Sequence, residues 1–245
     1  PMNVIKAAMA HQLNEFKAQI DRLVSDGMEQ EEALYKVLKE TIIASQNIRF
    51  EGDGYSDEWK DEAARRGLTN ICHVPEAIMK FNDPQSRSVL IGEKIFNENE
   101  LNCRIEVELE KFTKKVQIES RVLGDLAINH IVPTAVIYQN RLLENLRGLK
   151  EIFSTEEYEE MTADRKDLVR EIQRRILSIK KAVHDMTEAR KVANHLGSQV
   201  EKAFSYEEKV RPYLEEIREH IDSLELEIDD EIWPLPKYRE LLFTK

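Results

Sequence analysis

The chain has 245 residues, 34% charged and 41% hydrophobic, with 47 acidic against 36 basic side chains and a net charge of −11. So acidic a chain is by default a poor partner for nucleic acid or an anionic membrane. Eight glycines and seven prolines are too few turn-formers for many short strands. A mainly α fold of long antiparallel helices is therefore predicted, with one irregular segment holding at most short strands. No apolar run approaches the ~20 residues that span a bilayer, and no signal peptide is visible. Cys72 and Cys103 stand alone without metal-ligand spacing, as suits a reducing, cytoplasmic setting. The chain opens on Pro1 rather than Met, so a processed chain or a piece of something larger is expected.

In the first segment Ile5, Met9, Leu13, Phe16, Ile20 and Leu23 recur every three or four residues, which predicts a helix with one inward apolar stripe. Asp26-Gly27 breaks it. A second helix from about Glu29 places Ala33, Leu34, Val37, Leu38 and Ile42 inward, so residues 1–45 form a helical hairpin. Residues 46–96 are irregular and hold Gly52, Gly54, Gly67 and Gly92. Short strands are predicted at 47–51 and 88–91, a helix capped by Ser56 that ends at Gly67, and another opening at Val74-Pro75. Asn97 and Glu100 have capping-box spacing for a long helix over 97–153, with His130 on its apolar stripe and a kink at Pro133.

Ser154 or Thr155 then caps a helix of about 42 residues, which at 1.5 Å per residue runs ~60 Å. Leu168, Ile172, Ile176, Ile179, Val183 and Met186 follow a period near 3.5, as in a coiled coil. The chain reverses at Gly197-Ser198, and Val210, Leu214, Ile217, Ile221 and Leu224 return, interrupted at Pro212. Residues 154–226 are expected to form a protruding two-helix arm. Its outgoing helix carries nine basic and four acidic residues over 165–191, and its return nine acidic and one basic over 215–231. Opposite charges beside a shared apolar seam favour that pairing; Arg170 is expected near Glu225 and Lys180 near Glu215. The Trp/Pro-rich tail, 227–245, permits one last helical turn near 237–242. The whole is read as a single domain.

Chemistry-bearing motifs are sparse. No Walker loop, GxGxxG or GxSxG occurs, and no paired Glu-x-x-His that would build a helical carboxylate–metal site. No catalytic, cofactor-binding or metal residue is assigned. The densest group of special residues is Gly52, Asp53, Gly54, Tyr55, Ser56 and Asp57, a turn entering a helix N-terminus, with Trp59 as its structural anchor. The two glycines suit backbone angles that a Cβ penalises, and Tyr and Trp dominate contact surfaces. A capped structural turn and a docking loop are both compatible with this pattern.

Three stretches carry a resemblance: FEGDGYSDEW (50–59) continuing into KDEAARRGL, the run from VELEKFTKK to LRGLKEIF (107–153), and VRPYLEEI through WPLPKYRELLF (210–243). In this order they resemble the C-terminal region of type III glutamine synthetases. The resemblance implies a parent enzyme that ligates ammonia to glutamate with ATP and a divalent metal (Mg or Mn), its sites lying on an upstream catalytic domain. It implies that domain as partner, a homo-oligomeric parent, and a role here in assembly, docking or regulation, with no cofactor bound by this chain. An independent helical scaffold or interaction module is the alternative.

Overall fold

A computed structural model describes residues 2–243, and the main chain only of Tyr238 and Arg239. It is predominantly helical, with no strand among the described residues. The chain divides into two compact units, 1–108 and 109–245.

The first unit opens with α1 (Met2–Ser25) and α2 (Gln30–Ala44), which pack together. Gly27 makes the connection at φ +96°, accepted without penalty because it has no Cβ. Its N–H bonds back to Val24 and that of Met28 to Leu23, both at 3.0 Å, closing a Schellman turn. Gly67 repeats the device after α3 (Asp57–Arg65). α4 (Val74–Met79) and α5 (Pro84–Gly92) each carry Pro in the first turn, where its missing N–H costs nothing. The strand expected at 88–91 is instead the second half of α5, because Pro84 starts a helix there. The strand expected at 47–51 is also absent: Ser45–Ile48 is a 3-10 turn.

The stripe predicted along α1 is real but only half used. Phe16, Ile20 and Leu23 are half-buried, whereas Ile5, Met9 and Leu13 are 61%, 61% and 63% exposed. The first half of α1 instead buries the opposite face, placing Ala7 and Val4 in a small core with Leu90 and Leu101. His11 Nδ1 lies 3.0 Å from a Glu93 carboxylate oxygen, and the Asn14 amide donates to the same carboxylate at 3.1 Å, holding this face at the end of α5. On α2 only Ala33 and Val37 are buried; Leu34, Leu38 and Ile42 are exposed.

α6 (Glu98–Leu126) is opened by the expected capping box: the Asn97 N–H donates to Glu100 at 2.8 Å, and the Glu100 N–H to Asn97 Oδ1 at 2.9 Å. The second unit takes the rest of α6, then α7 (Val132–Ile152), α8 (Thr155–Asn194), α9 (Gln199–Ser205), α10 (Arg211–Glu227) and α11 (Tyr238–Leu241). α8 has 40 residues and starts on a second capping box, Ser154 with Glu157. Ile172, Ile176, Ile179 and Met186 of α8 share one core with Ile217, Ile221 and Leu224 of α10. The pair does not stand as a free two-helix arm, because α7 packs on α8 as well. The Gln139 amide donates to the Val169 carbonyl at 3.1 Å, and Gly124 of α6 faces Met186 and Val183.

Pro133 and Pro212 each act through the turn before them. Residues 127–131 and 206–210 are π turns, in which the N–H of Val132 reaches the Ala127 carbonyl and that of Arg211 the Tyr206 carbonyl, five residues back. Proline removes a donor and its ring crowds the carbonyl four residues earlier; a widened turn relieves that crowding. The extra residue shifts the helical phase. Ala127, Ile131 and Ala135 therefore enter the core, while His130, expected on the apolar stripe, is exposed.

The tail is tied to the same core. Trp233 is buried in it, with Ile232 and Leu235 alongside. Lys237 Nζ donates to the Glu225 carbonyl at 2.6 Å and the Ile228 carbonyl at 3.2 Å, so a cation satisfies orphan carbonyls at the C-terminus of α10.

Candidate docking loop and its surroundings

The loop from Phe50 to Trp59 is built by local bonds that the residue types dictate. Asp53 Oδ1 accepts the Tyr55 N–H at 2.9 Å, an Asx turn. The Ser56 hydroxyl donates to the Asp53 carbonyl at 3.0 Å and accepts the Trp59 N–H at 3.3 Å, capping α3. Asp57 lies in the first turn of α3, where the helix dipole favours a negative charge. A hydrogen bond from Lys60 at 2.6 Å holds its carboxyl below the usual range.

The glycines act differently from the backbone role expected of them. Neither Gly52 nor Gly54 has left-handed φ. A Cβ on Gly52 would lie 2.4 Å from the tip of the Phe50 ring, so the ring would have to shift to admit one, whereas Gly54 faces open space. Phe50 in turn packs against Trp59, ring centroids 4.4 Å apart. Trp59 is half-buried rather than part of either core.

Three residues that close the base of this loop escape the sequence reading: Phe50, Glu62 and Arg66. Arg66 donates to the Arg49 carbonyl at 2.7 Å and lies over the Phe50 ring at 5.5 Å, so it staples the end of α3 to the strand-like entry of the loop. Glu62 orients it, bonded to both Arg65 and Arg66, and these bonds pull the Glu62 pKa down to about 2. The i, i+4 spacing of Glu62 and Arg66 on a helix was the available signal. Within this frame Asp53, Ser56 and Gly52 hold the turn, and Tyr55 at its tip is 99% exposed.

On α8, Arg170 bonds Asp167, Arg174 bonds Glu171 and Lys181 bonds Asp185, all within the helix. Short i, i+3 and i, i+4 reach makes these the cheapest pairings for long side chains. Among the described residues no three His, Cys, Asp or Glu side chains converge on a possible metal position, and no helix is long and apolar enough to cross a membrane.

Comparison with known proteins defines the class first. Residues 33–150 match the family model described as the glutamine synthetase C-terminal domain. The chain is 73% identical over 244 residues to a glutamine synthetase of Bacteroides fragilis (strain YCH46), covering all of this chain and 34% of that protein. It is 27% identical over 255 residues to the type-3 glutamine synthetase of Dictyostelium discoideum, covering all of this chain and 33% of the relative, and 28% identical over 218 residues to a glutamine synthetase of Butyrivibrio fibrisolvens, covering 89% and 31%. The chain thus spans about a third of the length of these relatives. Residues 33–150 are similar to the C-terminal domain of glutamine synthetases, and the whole chain to about one third of such a polypeptide.

Proposed function

We propose that this chain is a non-catalytic domain that docks on the catalytic domain of its own polypeptide, and through that contact supports assembly or regulation of a homo-oligomeric glutamine synthetase. The observation that carries this reading is the match of the entire chain to one third of a 73% identical glutamine synthetase. Phosphoryl transfer needs clustered metal ligands and a phosphate clamp. In this reading ATP and the divalent metal belong on the catalytic domain. The net charge of −11 argues against nucleic acid as a partner, and two free, exposed cysteines suit a cytoplasmic setting.

The contact is assigned to the loop tip, with Tyr55 as the side chain that meets the partner. Its ring packs on nothing here, while the turn beneath it is fixed by Asp53, Ser56 and the Phe50–Trp59 pair. A rigid turn presenting one large amphipathic side chain is an economical contact element. Two experiments test the reading. Calorimetry of the isolated chain with ATP and magnesium should show no micromolar binding, and such binding would overturn it. Tyr55→Ala should lower activity or assembly of the full-length enzyme while leaving the melting temperature of the isolated chain unchanged. Equal destabilisation of the isolated chain by Tyr55→Ala and Trp59→Ala would make the loop purely structural.

A further inference from the structure

The first unit has a thin core for its length. Its buried apolar side chains larger than alanine are Val37, Pro75, Leu90 and Leu101. Ordering a residue costs about 1–2 kcal/mol of backbone entropy, which apolar burial must offset. Meanwhile one continuous apolar row, Met2, Ile5, Met9 and Leu13, lies open on α1. The row continues the face that is half-buried at Phe16, Ile20 and Leu23 beside α2. α2 has 15 residues against 24 in α1, so it is too short to lie beside the N-terminal part of the row. At its N-terminal end the row opens into a cleft of about 790 Å³, walled by Met2, Ile5, Ile78, Phe81, Phe96 and Ile105, with Arg104 at one side. Arg104 lies over the Phe96 ring at 4.8 Å.

We propose that this row and cleft seat a segment of the polypeptide that precedes residue 1 in the full-length protein, held by two or three aliphatic or aromatic side chains of that segment. The inference rests on the reading of the chain as a C-terminal domain and adds a second contact to the loop. The choice of occupant follows from three observations. About two thirds of each relative lies outside the matched region, and the matching family model is described as C-terminal. Met2, the first described residue, forms part of the cleft wall. The row presents four side chains over ~17 Å of helix, far fewer than the roughly 20–30 residues a side of a stable interface between separate molecules. A tethered segment needs no such area, because tethering raises its effective concentration to about the millimolar range.

Methionine oxidation reads this surface without mutation, since accessible thioethers oxidise and covered ones do not. The full-length protein and the 245-residue chain are each treated with hydrogen peroxide, and oxidation is followed by peptide mass spectrometry. Met161, exposed, and Met186, buried, are internal controls. Met9 should oxidise at about the rate of Met161 in the 245-residue chain and at least about ten-fold more slowly in the full-length protein. Equal rates for Met9 in both would overturn the proposal. Protection already present in the 245-residue chain would also overturn it, because self-association would then be the cover. Amine cross-linking from Lys6 in mixed light and heavy full-length subunits should give same-subunit links to upstream residues; light–heavy links would assign the face to a second copy and overturn the proposal. Protection of Met9 that disappears after organic extraction of the native protein would point to a bound apolar molecule, with the same consequence. The loop is read separately. Unprotected Met9 alongside a damaging Tyr55→Ala sinks the groove and leaves the loop standing, and protected Met9 alongside a harmless Tyr55→Ala does the reverse.

Discussion

The rings of Phe50 and Trp59 pack at 4.4 Å between centroids with their planes tilted by 38°, and this pair is the floor on which the Tyr55 turn stands. Trp59→Ala removes the larger half of the floor. Full burial of Trp is worth about 3–5 kcal/mol on truncation, and Trp59 is half-buried, so a loss near 2 kcal/mol is expected. Thermal denaturation of the isolated chain checks it.

Gly52→Ala and Gly54→Ala form a sharper pair. The first places a Cβ 2.4 Å from the Phe50 ring; the second meets nothing. Pushing the ring off its rotamer costs about 0.5–1.5 kcal/mol, and an open site changes by less than about 0.5 kcal/mol. Combining Gly52→Ala with Phe50→Ala should recover part of the loss, because the clash lies between those two residues. Urea titration of the parent chain, Gly52→Ala, Phe50→Ala and the double variant gives the coupling directly.

The loop base should loosen in acid. The Glu62 carboxyl is pulled from 4.5 to about 2 by its bonds to Arg65 and Arg66. A folded-state pKa below the unfolded value stabilises above the unfolded value and loses that contribution as pH falls through the folded one. The base is therefore intact above pH 4.5 and weakens between 4.5 and 2. Trp59 fluorescence in a Trp233→Phe background reports it. Glu62→Gln should remove the Glu62 share of this transition and leave that of Asp57, whose carboxyl is also held low.

Tyr206 belongs to a different region and a different kind of test. It is fully buried at the π turn before Pro212, and its hydroxyl donates to Asn194 Oδ1 at 2.8 Å. The Gln117 amide donates to the same oxygen at 3.3 Å, so Tyr206→Phe does not orphan the acceptor. A loss of about 1 kcal/mol is expected, a fall in Tm of roughly 2–4 °C for a chain of this size.

Much of the helical scaffold was legible because its signals are local. Asn97 with Glu100, Ser154 with Glu157 and Ser56 before α3 are caps written in three or four residues, and each is formed. What failed depended on context. The extra residue of a π turn cannot be read from a 3.6-residue period, so that period puts His130 on the wrong side of α6–α7. Periodicity shows that Ile5, Met9 and Leu13 share a face but not what covers it. Asp53, Ser56 and Trp59 were legible as a turn, whereas the reason for Gly52 lay in a ring two residues away that only folding brings back over it.

Removal of residues 1–245 from the full-length protein tests the proposed role most directly, with sedimentation velocity and the rate of glutamine formation measured on the same sample. A docked, non-catalytic domain should leave the catalytic part folded but lower both the assembled mass and the rate, with partial recovery when the separate 245-residue chain is added back. A truncated enzyme that sediments as the full oligomer and forms glutamine at the undiminished rate would contradict it.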